Sequence, residues 1–471
     1  MDPITTDIVV LGAGPGGYAA AFYAADKGKK VIMVESDKRL GGVCLNRGCI
    51  PSKAFLHAAK LIGEAKESAH RGITFDSPQI DLTRLRAWKE SILDKLSGGI
   101  GGIAQKRGVA VLYGRGYFEN SKTLRVETKE GQQFINYDKV IVAVGSKSAM
   151  PKAFDLGNPR VMTSREALEV EEIPQDLLVV GGGYIGMELG TVYAALGSRV
   201  VVVEALPSIL MGADPDLVRP VMKYAQGAFK EVRLNTKVAN MATVGKQIKV
   251  TIEADGQQKD ELYDRVLVSV GRVPNCSDLG LENTKVTRDD KGFIKVNTQL
   301  QTSDPDIYAI GDVVGGALLA HKASREARIA VDVITGEPTA FESVIPAVVF
   351  TEPEVAWAGL TEAEAREKNI AIEVAKFPWA ASGRALTFDR TDGLTKLIIE
   401  PETERILGVG IVGHGAGELI AEGVLAIEMG ATAFDLAQTI HPHPTLSETL
   451  MEAAEVFYGH SSHLFVGRKT K

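Results

Sequence analysis

The sequence predicts an α/β protein in which two Rossmann-like dinucleotide-binding domains precede a C-terminal α+β domain. Two observations carry this expectation. The pattern G-x-G-x-x-G occurs twice, each time between an apolar strand and a helical stretch. From about Pro346 the pattern changes to alternating strands and then helices without a third fingerprint. The chain has 471 residues, about three domains' worth.

The first unit starts with Ile8-Val9-Val10-Leu11, turns through Gly12-Ala13-Gly14-Pro15-Gly16-Gly17, continues as an alanine-rich helix and reaches Val31 to Val34 and Glu35. The second repeats this order: Leu177 to Val180, then Gly181-Gly182-Gly183-Tyr184-Ile185-Gly186, a helix, Val200 to Val203 and Glu204. The same number of positions separates Gly12 from Glu35 and Gly181 from Glu204. In such a unit the first glycine permits the tight turn, the second lets backbone approach a pyrophosphate, and the third lets helix and strand pack closely. The helix N-terminus offers unpaired N–H groups to the phosphates, and the glutamate can accept hydrogen bonds from a ribose. Nothing after Glu204 (Ala205-Leu206-Pro207-Ser208) would neutralise a 2′-phosphate, so the second site should take NAD rather than NADP. Arg199, just before the strand, is the one cation that could contest this.

Each unit closes with an apolar strand and a glycine, Val140 to Val144 before Gly145 and Val266 to Val270 before Gly271-Arg272. Between the first helix–strand unit, which ends at Glu35, and Gly145 lie a cysteine-bearing helix, a long helical stretch over Leu82 to Arg107 and alternating strands near Lys122 to Thr128. Ile307 to Ile310 forms another strand, ends in Gly311-Asp312 and leads into a helix, which reads as a return to the first domain. The expected division is 1–150, 151–272, a central segment 273–345 completing the first domain, and 346–471 with strands at Thr395 to Glu400 and Ile406 to Val412.

Composition narrows the function. The net charge is −7 with no basic run, which disfavours nucleic acid and anionic membranes. No targeting segment or apolar run of about 18 residues is visible, so a cytoplasmic protein is expected. Three cysteines make no disulfide scaffold, but Cys44 and Cys49 lie five residues apart just after Glu35. Zinc would need further ligands that the chain offers only as Cys276 and scattered histidines, so no metal site is expected and redox chemistry is preferred. In an ideal helix residues i and i+5 are about 8.6 Å apart, beyond disulfide reach, so a bridge requires distorted helix at Gly48, with Pro51 just beyond. Flanking glycines, Arg47 and Lys53 make the segment electropositive, which favours thiolate. Near the C-terminus, His441-Pro442-His443-Pro444-Thr445-Leu446-Ser447-Glu448 combines a capping box, Thr445-x-x-Glu448, with two candidate bases, and either histidine could be oriented by the glutamate.

Gly41-Gly42-Val43-Cys44-Leu45-Asn46-Arg47-Gly48-Cys49-Ile50-Pro51-Ser52-Lys53, Ala309-Ile310-Gly311-Asp312 and the terminal His443-Pro444-Thr445-Leu446-Ser447-Glu448 carry a family resemblance. Over nearly its whole length the chain resembles the class I pyridine nucleotide–disulfide oxidoreductases, those acting on dihydrolipoyl groups in particular. The resemblance implies FAD in the first domain and NAD in the second, with Gly145, Gly271 and Arg272 among the cofactor contacts. It implies a redox-active Cys44–Cys49 disulfide, with Cys44 the interchange thiol that meets substrate sulfur and Cys49 the thiol facing the flavin. His443 would be the base and Glu448 its orienting carboxylate. Lys53 and Glu188 would pair beside the flavin ring, Asp312 would bind the ribityl chain, and Tyr184 matches an aromatic gate over the nicotinamide. Arg47 stands where a valine is commoner. The implied assembly is a homodimer, served by the lipoyl domain of a 2-oxo acid dehydrogenase or glycine cleavage complex. A glutathione-, mercuric- or other dithiol-type reductase and a catalytically silent flavoprotein subunit are the rival expectations.

Overall fold

The computed structural model describes residues 3–466. Consecutive β-branched residues suit a strand buried on both faces, and they form the centre of the first sheet. Ile4–Leu11 runs parallel to Val31–Glu35 on one side and to Gly131–Val142 on the other. Ala110–Tyr113 extends the sheet beyond Val31–Glu35, and Ile307–Ala309 joins Gly131–Val142 in parallel, with Ile307 opposite Val140. The first half of Gly131–Val142 pairs antiparallel with Thr123–Thr128, which pairs with Arg115–Asn120, giving seven strands. The expected return of the chain at Ile307 is therefore a strand of this sheet. Its following helix, Ala320–Ile334, packs on the first fingerprint helix, Pro15–Asp26. A Cβ at Gly16 would come within 3.2 Å of the Ala323 Cβ, so a side chain there would have to push the second helix back by a few tenths of an ångström.

The second sheet has five parallel strands, in the order Glu231–Arg233, Arg199–Val203, Asp176–Val180, Arg265–Val268, Val161–Met162. A three-stranded antiparallel sheet, Lys237–Val244, Gln247–Ala254 and Gln257–Tyr263, adds a layer that the glycine fingerprints do not signal. Both closing strands stop earlier than expected, at Val142 and Val268. The chain leaves the first sheet through Ser146–Ser148 and returns through Arg272–Pro274, and these two passages pair antiparallel.

The last sheet is antiparallel: Ala347–Val349, Glu354–Gly359, Ile406–Gly413, Leu394–Ile399, Glu373–Pro378. Helices Ala416–Glu428 and Glu448–Tyr458 bury their apolar faces on it around Trp379, whose indole N–H donates to Thr395 Oγ1 at 2.9 Å. This domain docks on the second through a buried ion cluster. Lys396 Nζ lies 2.6 Å from Asp214 Oδ2, 2.8 Å from Asp216 Oδ1 and 3.1 Å from Glu362 Oε1. The ammonium is paired on every approach, as a buried charge must be. Among the described residues, no helix is long and apolar enough to cross a membrane.

Candidate active site

The two fingerprints are alike in detail. Gly12 and Gly181 turn with φ of 106° and 104°, a region glycine alone enters freely. A Cβ at Gly17 would sit 1.8 Å from the Gly12 carbonyl oxygen, and one at Gly186 would sit 2.1 Å from that of Gly181. The third glycine of each motif thus lets the helix lie directly on the turn. Helices Pro15–Asp26 and Tyr184–Leu196 begin at Gly14 and Gly183 with no side-chain cap and no acidic residue in the first turn. Their leading N–H groups remain available to an anion.

The two glutamates are also held alike. Glu35 Oε2 accepts from the Ala13 N–H and Oε1 from the Asp37 N–H, both at 2.8 Å. Glu204 Oε2 accepts from the Gly182 N–H at 2.6 Å and Oε1 from the Leu206 N–H at 2.8 Å. Each carboxylate is oriented before any ligand arrives, with lone pairs to spare. Arg199 is bidentate to Asp176, at the far end of its strand from Glu204. It is thereby withdrawn from a 2′-phosphate position beside Glu204.

A cavity of about 370 Å³ opens beside the first fingerprint. Gly12, Gly14, Gly16, Glu35, Cys44, Cys49, Lys53, Gly145, Tyr184, Glu188, Arg272 and Asp312 all line it. Gly17, Gly181, Gly183, Gly186, Glu204 and Gly271 lie outside its walls, the first in the helix packing just described and the others in or beside the second fingerprint. An uncapped helix N-terminus, an anchored ribose-type carboxylate and an elongated wall running to Asp312 suit a flavin dinucleotide.

The cysteines straddle a break. Helix Gly42–Arg47 ends at Gly48, whose φ of −146° and ψ of −106° leave the helical region, and Cys49–Glu67 starts afresh. The distortion expected for a bridgeable pair is therefore present, and Pro51 sits in the first turn of the new helix, where its missing N–H costs nothing. Both cysteines are free thiols here. The hydrogen bond from Cys44, reinforced by the Lys53 ammonium, lowers Cys49 to about 7, while the same bond and burial raise Cys44. Cys49 is thus the more acidic of the pair, with Cys44 the thiol that donates to it.

Lys53 Nζ meets both oxygens of buried Glu188, at 3.0 and 2.8 Å, and lies over the Phe350 ring at 4.5 Å. Phe350 N–H donates to Glu188 Oε1 at 3.0 Å, tying the C-terminal domain to this pair. Arg272 Nε donates to Ser146 Oγ and its Nη2 to the Ser146 carbonyl, each at 2.7 Å, while Ser146 Oγ donates to Asp312. The paired passages between domains thus deliver Arg272 and Ser146 to Asp312.

The histidines separate by burial. The His441 side chain is 4% exposed and bonds Glu422 through Nε2 at 2.6 Å and the Thr439 carbonyl through Nδ1. The His443 side chain is 71% exposed, bonds Glu448 Oε1 through Nδ1 at 2.8 Å, and has no partner at Nε2 among the described residues. The expected capping box forms by half. Glu448 Oε2 accepts from the Thr445 N–H at 2.7 Å, but Thr445 Oγ1 donates to the Pro442 carbonyl, and the helix begins at Glu448 itself. Starting the helix at Glu448 brings its carboxylate alongside His443.

The structure thus gathers the cysteines, Lys53, Glu188, Asp312 and Arg272 in one cavity and leaves His443 and Glu448 outside its walls. Sequence reasoning missed Ser146, Asp37 and Arg115, which also line it. Ser146, one residue beyond Gly145, is the one a motif could have flagged.

Residues 6–327 match the family model described as pyridine nucleotide-disulphide oxidoreductase, and residues 345–454 match the dimerisation domain of the same family. The chain is 47% identical over 460 residues to a dihydrolipoyl dehydrogenase of Vibrio parahaemolyticus, covering 97% of this chain and 96% of that one. It is 44% identical over 462 residues to a dihydrolipoyl dehydrogenase of Staphylococcus aureus, covering 98% of each. Among solved structures, LpdA from Mycobacterium tuberculosis superposes with a TM-score of 0.89 at 28% identity, covering 96% of this chain and 99% of that one. The HOCl-induced flavoprotein disulfide reductase RclA of Escherichia coli, solved as a Cu(II) complex, does so with a TM-score of 0.86 at 28% identity, covering 97% and 100%.

Proposed function

The chain belongs to the pyridine nucleotide-disulphide oxidoreductases, and from that premise we propose the division of labour within its active site. The protein is an NAD-dependent, FAD-containing dihydrolipoyl dehydrogenase. The observation that carries the site assignment is the break at Gly48, which sets two hydrogen-bonded thiols in the wall of the flavin-type cavity with Cys49 the more acidic.

When bound, FAD supplies the two-electron relay between the cysteine pair and NAD⁺. Gly12, Gly14 and Gly16 cradle its pyrophosphate, Glu35 takes its ribose, and Asp312 with Ser146 and Arg272 serves the ribityl end. Gly181, Gly183 and Glu204 do the same for NAD⁺, with Tyr184 and Ile185 opening the second fingerprint onto the shared cavity. In the working cycle Cys44 and Cys49 start as a disulfide. His443 Nε2 removes the proton of one dihydrolipoyl thiol, held in the right orientation by Glu448 on Nδ1. The substrate thiolate attacks Cys44, the Cys44–Cys49 bond breaks, and Cys49 leaves as thiolate. The second substrate thiol then displaces Cys44, forming the lipoyl disulfide and returning Cys44 as a thiol. The Lys53 ammonium stabilises the Cys49 charge and Glu188 fixes Lys53.

The working unit is a homodimer in which the cysteines of one chain face His443 of its partner. Two features support this: the cavity wall contains no part of 346–471 among the described residues, and Ile440, 95% exposed, lies beside the His443 segment with Phe434 and Met429 also exposed. The domains divide at 1–150, 151–272, 273–345 and 346–471, and the reducing substrate is a lipoyl domain of a 2-oxo acid dehydrogenase or glycine cleavage complex. Anaerobic mixing with dihydrolipoamide should bleach the flavin and, with NAD⁺ added, form NADH. Flavin reduction by glutathione in place of dihydrolipoamide would favour the rival reductase.

A further inference from the structure

Arg47, on the short helix that carries Cys44, reaches across to Asp37, and both line the flavin-type cavity. Their side chains are 22% and 36% exposed, so the pair is partly withdrawn from water. Asp37 is itself fixed, because its N–H donates to Glu35 Oε1 at 2.8 Å. The turn holding Asp37 is pinned from its other side too, by Arg39 to Glu90 at 2.7 Å and to Asp94 at 2.6 Å on the long helix Leu82–Lys106. A bonded path therefore runs from the ribose-type carboxylate Glu35, through Asp37, to Arg47, one helical turn beyond Cys44. Arg47 has no bond to either cysteine among the described residues, so its charge serves this bridge rather than the thiol chemistry.

We propose that the Arg47–Asp37 ion pair is a clasp between the turn that orients Glu35 and the redox helix, and that it sets how long FAD stays bound. With the clasp closed, leaving requires the turn and the helix to separate or the dinucleotide to withdraw past them. With it open, the polar side-chain link left between turn and helix is Asn46 Nδ2 donating to the Leu40 carbonyl at 3.1 Å, with no charge in it. Arg47 is a positioning residue on this account, and the inference rests on the flavoenzyme reading above. A charge-assisted pair in this setting corresponds to about a fivefold to tenfold change in release rate.

The test follows flavin released from holoenzyme. Protein freed of unbound FAD is held at a temperature below unfolding, and filterable flavin is measured over time for wild type, Arg47→Val, Asp37→Asn and the double variant. Each single variant should release FAD about fivefold to tenfold faster, and the double variant no faster than the quicker single, because both remove one interaction. Arg47→Lys should recover most of the retention. High salt should speed release from wild type and leave the variants nearly unchanged. Melting temperatures of the apoproteins should agree, with the loss appearing only in the stabilisation added by FAD. Release at the wild-type rate from both single variants, multiplicative effects in the double, or equal losses in apo- and holoprotein would overturn the clasp. A wild-type protein that purifies with and binds no flavin would overturn the flavoenzyme reading instead.

Discussion

If His443 serves the cysteines of the partner chain, two inactive variants should rescue each other. In Cys44→Ser the sulfur that meets substrate is gone, and in His443→Gln the base is gone, a loss of about a hundredfold to ten-thousandfold for a positioned proton acceptor. The geometry sets the size of the rescue. The cavity holding Cys44 is walled by residues from Leu11 to Ala323, while the free Nε2 of His443 projects from a separate domain. In a mixed dimer one site then combines both lesions and the other has neither. Random association of equal amounts makes half the dimers mixed, each with one intact site of two, so about a quarter of wild-type activity should return. The assay is NADH formation from dihydrolipoamide after co-expression with two different tags, which isolates mixed dimers; that purified fraction should show about half of wild-type activity. If tag-verified mixed dimers stay at the level of the single variants, cysteine and histidine act within one chain and the shared site is refuted.

Three further outcomes follow from the geometry. Glu204→Ala removes a charged acceptor from the second fingerprint alone, so the KM for NAD⁺ should rise about tenfold or more while FAD content holds; an unchanged KM would take Glu204 out of the ribose site. In two-electron-reduced enzyme the long-wavelength absorption of a thiolate beside oxidised flavin should be half-maximal near pH 7, full above and lost below, because the Cys49 pKa is lowered to about 7 and only the deprotonated sulfur gives the band. Lys53→Met should move that midpoint upward, and Cys49→Ser should abolish the band. Gly17→Ala drives a methyl to within 1.8 Å of the Gly12 carbonyl, and should cost about 1–3 kcal/mol or more with loss of FAD, read by thermal melting and flavin content. A melting temperature and flavin content equal to wild type would show that the turn yields where the packing says it cannot.

Legibility followed chemistry. Phosphate binding by backbone admits only glycine at a few positions, so Gly12 and Gly181 announce themselves in the sequence, and the helix break at Gly48 could be anticipated from the reach of a disulfide. His441 and His443 share composition and neighbours, and they part only through Glu422, on a different helix, which buries the first and leaves the second free. Lys53 and Glu188 are brought together across 135 positions, a meeting no local period encodes. The antiparallel layer Lys237–Tyr263 has alternating strands but no fingerprint, so it went unforeseen. The half-formed capping box at Thr445 reflects competition, since the Glu448 carboxylate divides its two oxygens between His443 and a backbone N–H.

The strand Ile307–Ala309 has a consequence for how the protein is made. Its partner, the edge formed by Val140 to Val142, leaves the ribosome 167 residues earlier, which at typical elongation rates is roughly ten to thirty seconds. Through that interval a row of valine and isoleucine backbone groups waits unpaired while the intervening domain is synthesised and can fold as a unit. A nascent chain stalled between these strands should therefore expose a sticky edge and recruit chaperones, and one stalled beyond Ile334 should not.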